Sequence, residues 1–154
     1  MKLAEALMER ADLQRRLVQI RERIKQNALY QEGETPAESV AELLKEYRRC
    51  AERLETLVVA INRSNQQIVL ADGTPMLEAL ARRDGLIREC SMLIALCEAA
   101  MPDNSRYSRS ELRYVSAVNI TELRKEADKL AQSCRQLDIL VQQANWSNEL
   151  SRMN

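Results

Sequence analysis

Arginine carries most of the chemistry this chain can offer. Three polar stretches leave the helical repeat: Asn62-Arg63-Ser64-Asn65, Arg82-Arg83-Asp84, and Arg106-Tyr107-Ser108-Arg109 with Arg113 just beyond. A guanidinium is a planar fork that fits carboxylate or phosphate. If the stretches converge, Asn62, Arg63, Asn65, Arg82, Arg83, Arg106, Tyr107, Arg109 and Arg113 would hold an anion, a nucleotide or an acidic segment of a partner. The same arginines are also placed to pair with Asp72, Asp84, Asp103 and Glu111. Arg–carboxylate forks serve structure as readily as binding, and the structural use is the expected one. Tyr107 and Tyr114 have rings able to stack on bases, but tyrosine is also a common strand residue.

Other chemistry is missing. The chain has no histidine, and so lacks the usual acid–base group at neutral pH. Ser-His, Cys-His and HExxH arrangements are excluded with it, as is the ExxH pair of di-metal bundles. Neither GxxxxGK[ST] nor GxGxxG occurs, so no phosphate-cradling loop of those kinds is present. No catalytic set can be assembled, and an enzyme is not expected. Cys50, Cys90, Cys97 and Cys134 are isolated. Cys90 and Cys97 are two helical turns apart, roughly 10 Å along the axis, too far to bridge. Buried thiols acting as small hydrophobes are expected, with no metal and no cofactor.

The elements that must position these residues are helical. Only three Gly and three Pro interrupt 154 residues, and aromatics are scarce. The length suits one domain, residues 1–154. A first helix over Lys2–Ala28 carries Leu3, Leu7, Leu13, Leu17, Ile20 and Ile24, with Arg10 interrupting the stripe. Glu32-Gly33-Glu34-Thr35-Pro36 reads as a loop. The second helix, Pro36–Asn62, repeats Val40, Leu43, Tyr47, Cys50, Leu54, Leu57 and Ile61 at steps of three and four. The pair forms an antiparallel hairpin. The third, Pro75–Met101, has Thr74 as cap and Gly85 as a kink or close helix contact. The last, Asn119–Trp146, opens with Asn119 and Glu122 in a capping box. Its seam is Ile120, Leu123, Ala127, Leu130, Cys134, Leu137, Val141 and Ala144. Gln66–Leu70 and Glu111–Val118 read as two short strands that pair within or between chains. Trp146, the sole tryptophan, is expected to pack on a helix of the bundle, on a neighbouring subunit or on a partner. Ser147–Asn154 is expected to fray.

Charges balance at 23 against 23, so no global attraction to nucleic acid or anionic membrane is expected. Met1–Leu17 has Glu5, Glu9, Arg10 and Asp12 where a secretory signal needs an apolar core. No apolar run is long enough to span a membrane. A cytoplasmic location is expected.

Several stretches carry a resemblance: Met1-Lys2-Leu3-Ala4-Glu5-Ala6-Leu7, Ile61-Asn62-Arg63-Ser64-Asn65, Asp72-Gly73 with Leu77-Glu78-Ala79-Leu80 and Arg83-Asp84, Arg106-Tyr107-Ser108-Arg109-Ser110-Glu111, and Gln143-Ala144-Asn145-Trp146. Together they resemble a bacterial family of helical coiled-coil proteins of unknown function, some members of which carry the label septicolysin. The resemblance implies a helical coiled-coil protein and supplies no catalytic or ligand residue. The label implies lysis, but the chain shows no signal, membrane span or long glycine-rich amphipathic segment.

The expected fold is mainly all-α: an antiparallel coiled-coil-like bundle of four long helices with a small two-strand β element. The expected function is a non-enzymatic, self-associating scaffold or protein-interaction module, acting as a homo-oligomer and possessing an unidentified protein partner at most. The alternative is an anion- or nucleic-acid-binding module built on the arginine junctions.

Overall fold

The structure is a computed structural model describing residues 1–102 and 113–152. Four helices follow in order: α1 (Leu3–Gln26), α2 (Val40–Gln67), α3 (Met76–Ala99) and α4 (Ile120–Ser147). The chain divides into two compact units, Met1–Val69 with Gln142–Asn154, and Leu70–Val141.

The helix ends follow local chemistry. At α1 the backbone N–H of Lys2 donates to Glu5 Oε2 at 2.7 Å. Ser39 caps α2 by accepting from the N–H of Glu42. Asn119 Oδ1 accepts from the N–H of Glu122 at 3.2 Å and so opens α4. Each side chain satisfies a donor that the first turn leaves unpaired. At α3 the cap is Pro75 rather than Thr74. The Thr74 N–H instead donates to Asp72 Oδ1 at 3.0 Å, closing a turn in which Gly73 takes a positive φ of 87°.

In the first unit, residues seven apart line up on each helix. Leu43, Cys50, Leu57 and Ser64 form a row on α2, and all four are buried. Ile20, Leu43 and Cys50 make a core cluster, with Leu13, Leu17, Ile24 and Tyr47 packed against it. α1 and α2 run antiparallel, as expected of a short-loop hairpin. Arg10 occupies a seam position on α1, and its Nε is buried without a partner.

α2 does not stop at Asn62. It continues through Asn62-Arg63-Ser64-Asn65 to Gln67. Within this stretch the Ser64 hydroxyl donates to Ala60 O at 2.9 Å, a back-bond that a helix interior tolerates. Nor does the segment from Ser147 to Ser151 fray as expected, while residues 153 and 154 lie outside the described residues. Lys2 and Glu149 form an isolated antiparallel bridge. The Leu3 N–H donates to Asn148 O at 3.0 Å, and the Leu150 N–H to Met1 O at 2.9 Å. The Ser151 N–H donates to Ser64 Oγ at 2.8 Å.

The two-strand β element is absent among the described residues, which contain no strand and no sheet. Gln66 and Gln67 belong to α2, and Ile68 caps it. Beyond, the Leu70 N–H donates to Thr74 O at 2.8 Å and the Gly73 N–H to Leu70 O at 2.9 Å. This turn supplies locally the partners that a strand must find elsewhere. Glu111 and Leu112 lie outside the described residues, and Arg113–Val118 is irregular. There the Ser116 hydroxyl donates to Val118 O at 2.8 Å.

In the second unit, α3 is continuous through Gly85, and a methyl group added there would meet nothing within 4 Å. The glycine is neither a close helix contact nor a break in the helix.

Candidate functional site

The arginine junctions come first. Arg63 and Asn62 are exposed near the end of α2, and Asn65 is half-buried beside buried Ser64. These belong to the first unit. Arg82, Arg83 and Arg113 belong to the second. Arg82 and Arg113 are exposed. Arg83 Nη1 donates to Asp138 Oδ1 at 3.2 Å across to α4, and its Nε lies 3.7 Å from Asp84 Oδ1. Arg83 thus pairs as the structural use of an arginine fork would have it. Arg82 is close enough to help lower the Asp72 pKa, though the main cause there is hydrogen bonding from Thr74. Arg106, Tyr107 and Arg109 lie outside the described residues. Trp146 is 54% exposed, so it is not sealed in a core.

A second charged array was not singled out from sequence. Glu9, Arg16 and Arg23 stand seven apart on α1 and meet Arg53 and Glu46 on α2 and Glu38 just before it. Arg53 Nε donates to Glu9 Oε1 at 2.7 Å, Arg16 Nε to Glu46 Oε1 at 3.0 Å, and Arg23 Nε to Glu38 Oε2 at 2.9 Å. The signal was present as a seven-residue charge spacing on α1. Its partners become readable only when the hairpin register is known. The ladder flanks the buried row and fixes the antiparallel register, the use that charges beside a helix seam commonly have. A depression of about 460 Å³ lies over its Glu38 end, lined by Arg23, Ser39, Glu42, Lys45, Glu46 and Arg49 among others. Both signs alternate around it, so it offers no net field for an anion.

The ladder makes stability depend on pH. Hydrogen bonds from their arginines hold the Glu9, Glu46 and Glu38 carboxyls below the usual carboxylate range. Lys2 does the same for Glu149, and Thr74 for Asp72. A carboxyl whose folded pKa is depressed stabilises the fold above its unfolded pKa, and that contribution is lost as pH falls through the folded value. The melting temperature is therefore expected to stay level from neutral pH down to about pH 5, then drop below the unfolded carboxylate pKa near 4. Circular-dichroism melts between pH 7 and pH 3 measure this. A melting temperature unchanged at pH 3 would show that the pairs contribute nothing.

The remaining constellation holds the thiols. All four cysteines are free. Cys90 Sγ lies 3.5 Å from Ala127 O, and Cys97 Sγ 3.9 Å from Ile120 O. With Arg83–Asp138, these contacts run in opposite order along the two helices, so α3 and this part of α4 are antiparallel. Beside them is a groove of about 330 Å³, lined by Cys90, Ile94, Cys97, Met101, Ala127 and Ala131, with Glu98, Arg124 and Asp128 at its edge. Among the described residues, no group of three or more metal-ligating side chains comes together. Nor is any described helix long and apolar enough to cross a membrane.

Comparison with known proteins places the chain among others like it. A family model described as "Family of unknown function (DUF6847)" matches residues 10–150. A solved structure described as that of "a functionally unknown conserved protein from Corynebacterium diphtheriae" is 38% identical, with a TM-score of 0.90. The match covers 98% of this chain and 99% of that one. Neither description carries the septicolysin label. No curated protein matches.

Proposed function

The chain belongs to the DUF6847 family of unknown function, and we propose that it is a non-enzymatic helical module that works by associating with further copies of itself. The observation that carries this reading is apolar surface left open on the helices. Met8, Val18, Val59, Ile87, Met92, Ile94 and Trp146 are each at least 44% exposed. Scattered apolar side chains are ordinary on a surface, but so many on regular helices leave apolar area for partners to cover.

A non-enzymatic role fits the residue types. Among the described residues, most charged side chains with shifted pKa values are carboxylates and arginines paired with one another, as in a structural ladder rather than a reactive centre. The others are Glu149, held by Lys2, and Asp72, held by Thr74.

Native mass spectrometry of the full chain, with light scattering over a concentration series, tests the proposal. A species at an integer multiple of 17.7 kDa is the expected result. A bare monomer at tens of micromolar overturns it.

A further inference from the structure

Sulfur is concentrated in one place on this molecule. The chain has four cysteines and six methionines among 154 residues. Three of those ten, Cys90, Cys97 and Met101, line the single groove of about 330 Å³ beside the α3 thiols. Core packing explains Cys97, which is 3% exposed, but not Met101, which is 47% exposed.

Cys97 and Met101 are four residues apart, one helical turn on the same face. The turn between them is closed: the Ala100 N–H donates to Leu96 O at 2.9 Å and the Met101 N–H to Glu98 O at 3.4 Å. Side chains so spaced have Cβ atoms roughly 5–6 Å apart. A sulfur–metal bond is about 2.3 Å long, so one ion bridges two sulfurs on such a turn. Methionine, unbranched with three rotatable bonds, adjusts its sulfur to fit. Cys90 stands two turns from Cys97, roughly 10 Å along the axis, too far to share that ion.

We infer that Cys97 and Met101 form a two-coordinate site for a soft monovalent cation, with cuprous ion as the fitting example. The donor set selects the occupant, because thiolate and thioether together favour soft cations over hard ones. A tetrahedral zinc site needs four ligands, and no group of three or more Cys, Asp or Glu comes together among the described residues. Binding replaces the S–H bond of Cys97 with a sulfur–copper bond. The thiol proton leaves to solvent, Met101 contributes a lone pair, and no electron changes hands. Thiolate and cuprous charges cancel, which suits a sulfur as buried as that of Cys97. The Cys97 thiol gives up little, since its partner Ile120 O is 3.9 Å away. The groove supplies the path by which an ion enters.

Anaerobic titration of the full chain with cuprous ion, in competition with bicinchoninate, tests the site, and native mass spectrometry counts the ions bound. Wild type is expected to take one cuprous ion per chain from the chelator. Cys97→Ser is expected to take none. Met101→Leu is expected to bind at least about tenfold more weakly, the least that losing a ligand costs when outer partners alone cost that much. Cys90→Ser is expected to bind as wild type does. Met101 is half exposed, so Met101→Leu is expected to keep its helical circular dichroism, and it decides if Cys97→Ser does not fold. A wild type that leaves all its copper with the chelator overturns the site. So does a Met101→Leu that binds as tightly as wild type. Equal weakening in Cys90→Ser and Cys97→Ser means adventitious thiol binding only, and overturns it too.

Discussion

Leu57→Ala is expected to lower the unfolding free energy by about 3 kcal/mol, the usual cost of emptying a fully buried leucine site. Leu57 is 0% exposed and stands in the buried row of α2 between Cys50 and Ser64. Its neighbours Ala60 and Ile61 are also buried. The site is enclosed on a helix that is tied to α1 by the ion pairs beside the seam. The backbone therefore cannot easily close over the lost atoms, and the cavity cost adds to the lost burial. Urea denaturation should show a lower midpoint with an unchanged slope. Leu44→Ala supplies the contrast. Leu44 sits on the same helix but is 37% exposed, and its truncation is expected to cost well under half as much, roughly 1 kcal/mol. Equal losses at both positions would mean that the row through Leu57 is not the core of the first unit.

Ser64→Ala is the second large effect, expected at about 1.5 kcal/mol. Ser64 is 2% exposed and continues the row of Leu43, Cys50 and Leu57. A polar residue at such a position is tolerated only when its hydrogen bonds are made. Its hydroxyl donates to Ala60 O at 2.9 Å and accepts from the Ser151 N–H at 2.8 Å. Alanine keeps the helix and fills the same space less one oxygen. The loss therefore falls on the Ser151 donor and on the docking of the chain end. Two readouts follow: a lower urea midpoint, and faster hydrogen exchange at the amides of Leu150 and Ser151. Stability lost with exchange unchanged at those amides would place the effect elsewhere in the helix. Ser64→Thr, which retains the hydroxyl, is expected to restore the protection.

The four helices were legible before any coordinates because helix signals are local. The apolar steps of three and four, the Asn119 cap and the Asp72-Gly73 turn all act within a few residues of themselves. The hairpin of α1 and α2 was legible for the same reason, given a short loop between two amphipathic stretches. What failed was also local in form. Ile68, Val69 and Leu70 looked like a strand by residue type alone. A strand needs a partner, and the turn from Leu70 to Thr74 closes instead on itself. Asn62–Asn65 looked like a break because polar residues interrupt the stripe. The docking of Ser151 makes Ser64 an interior residue of α2.

Of the residues singled out for chemistry, the sequence determined their types but not their company. It excluded histidine chemistry outright. It could not pair Arg83 with Asp138, 55 positions away, or Glu9 with Arg53, 44 positions away. Those partners depend on antiparallel register, which each helix alone leaves free. Seven-residue rows announced that every helix would have a covered side. Which rows are covered was a tertiary decision, because burial is a property of the neighbour as much as of the residue. On α3 that decision leaves Ile87 and Ile94 at the surface.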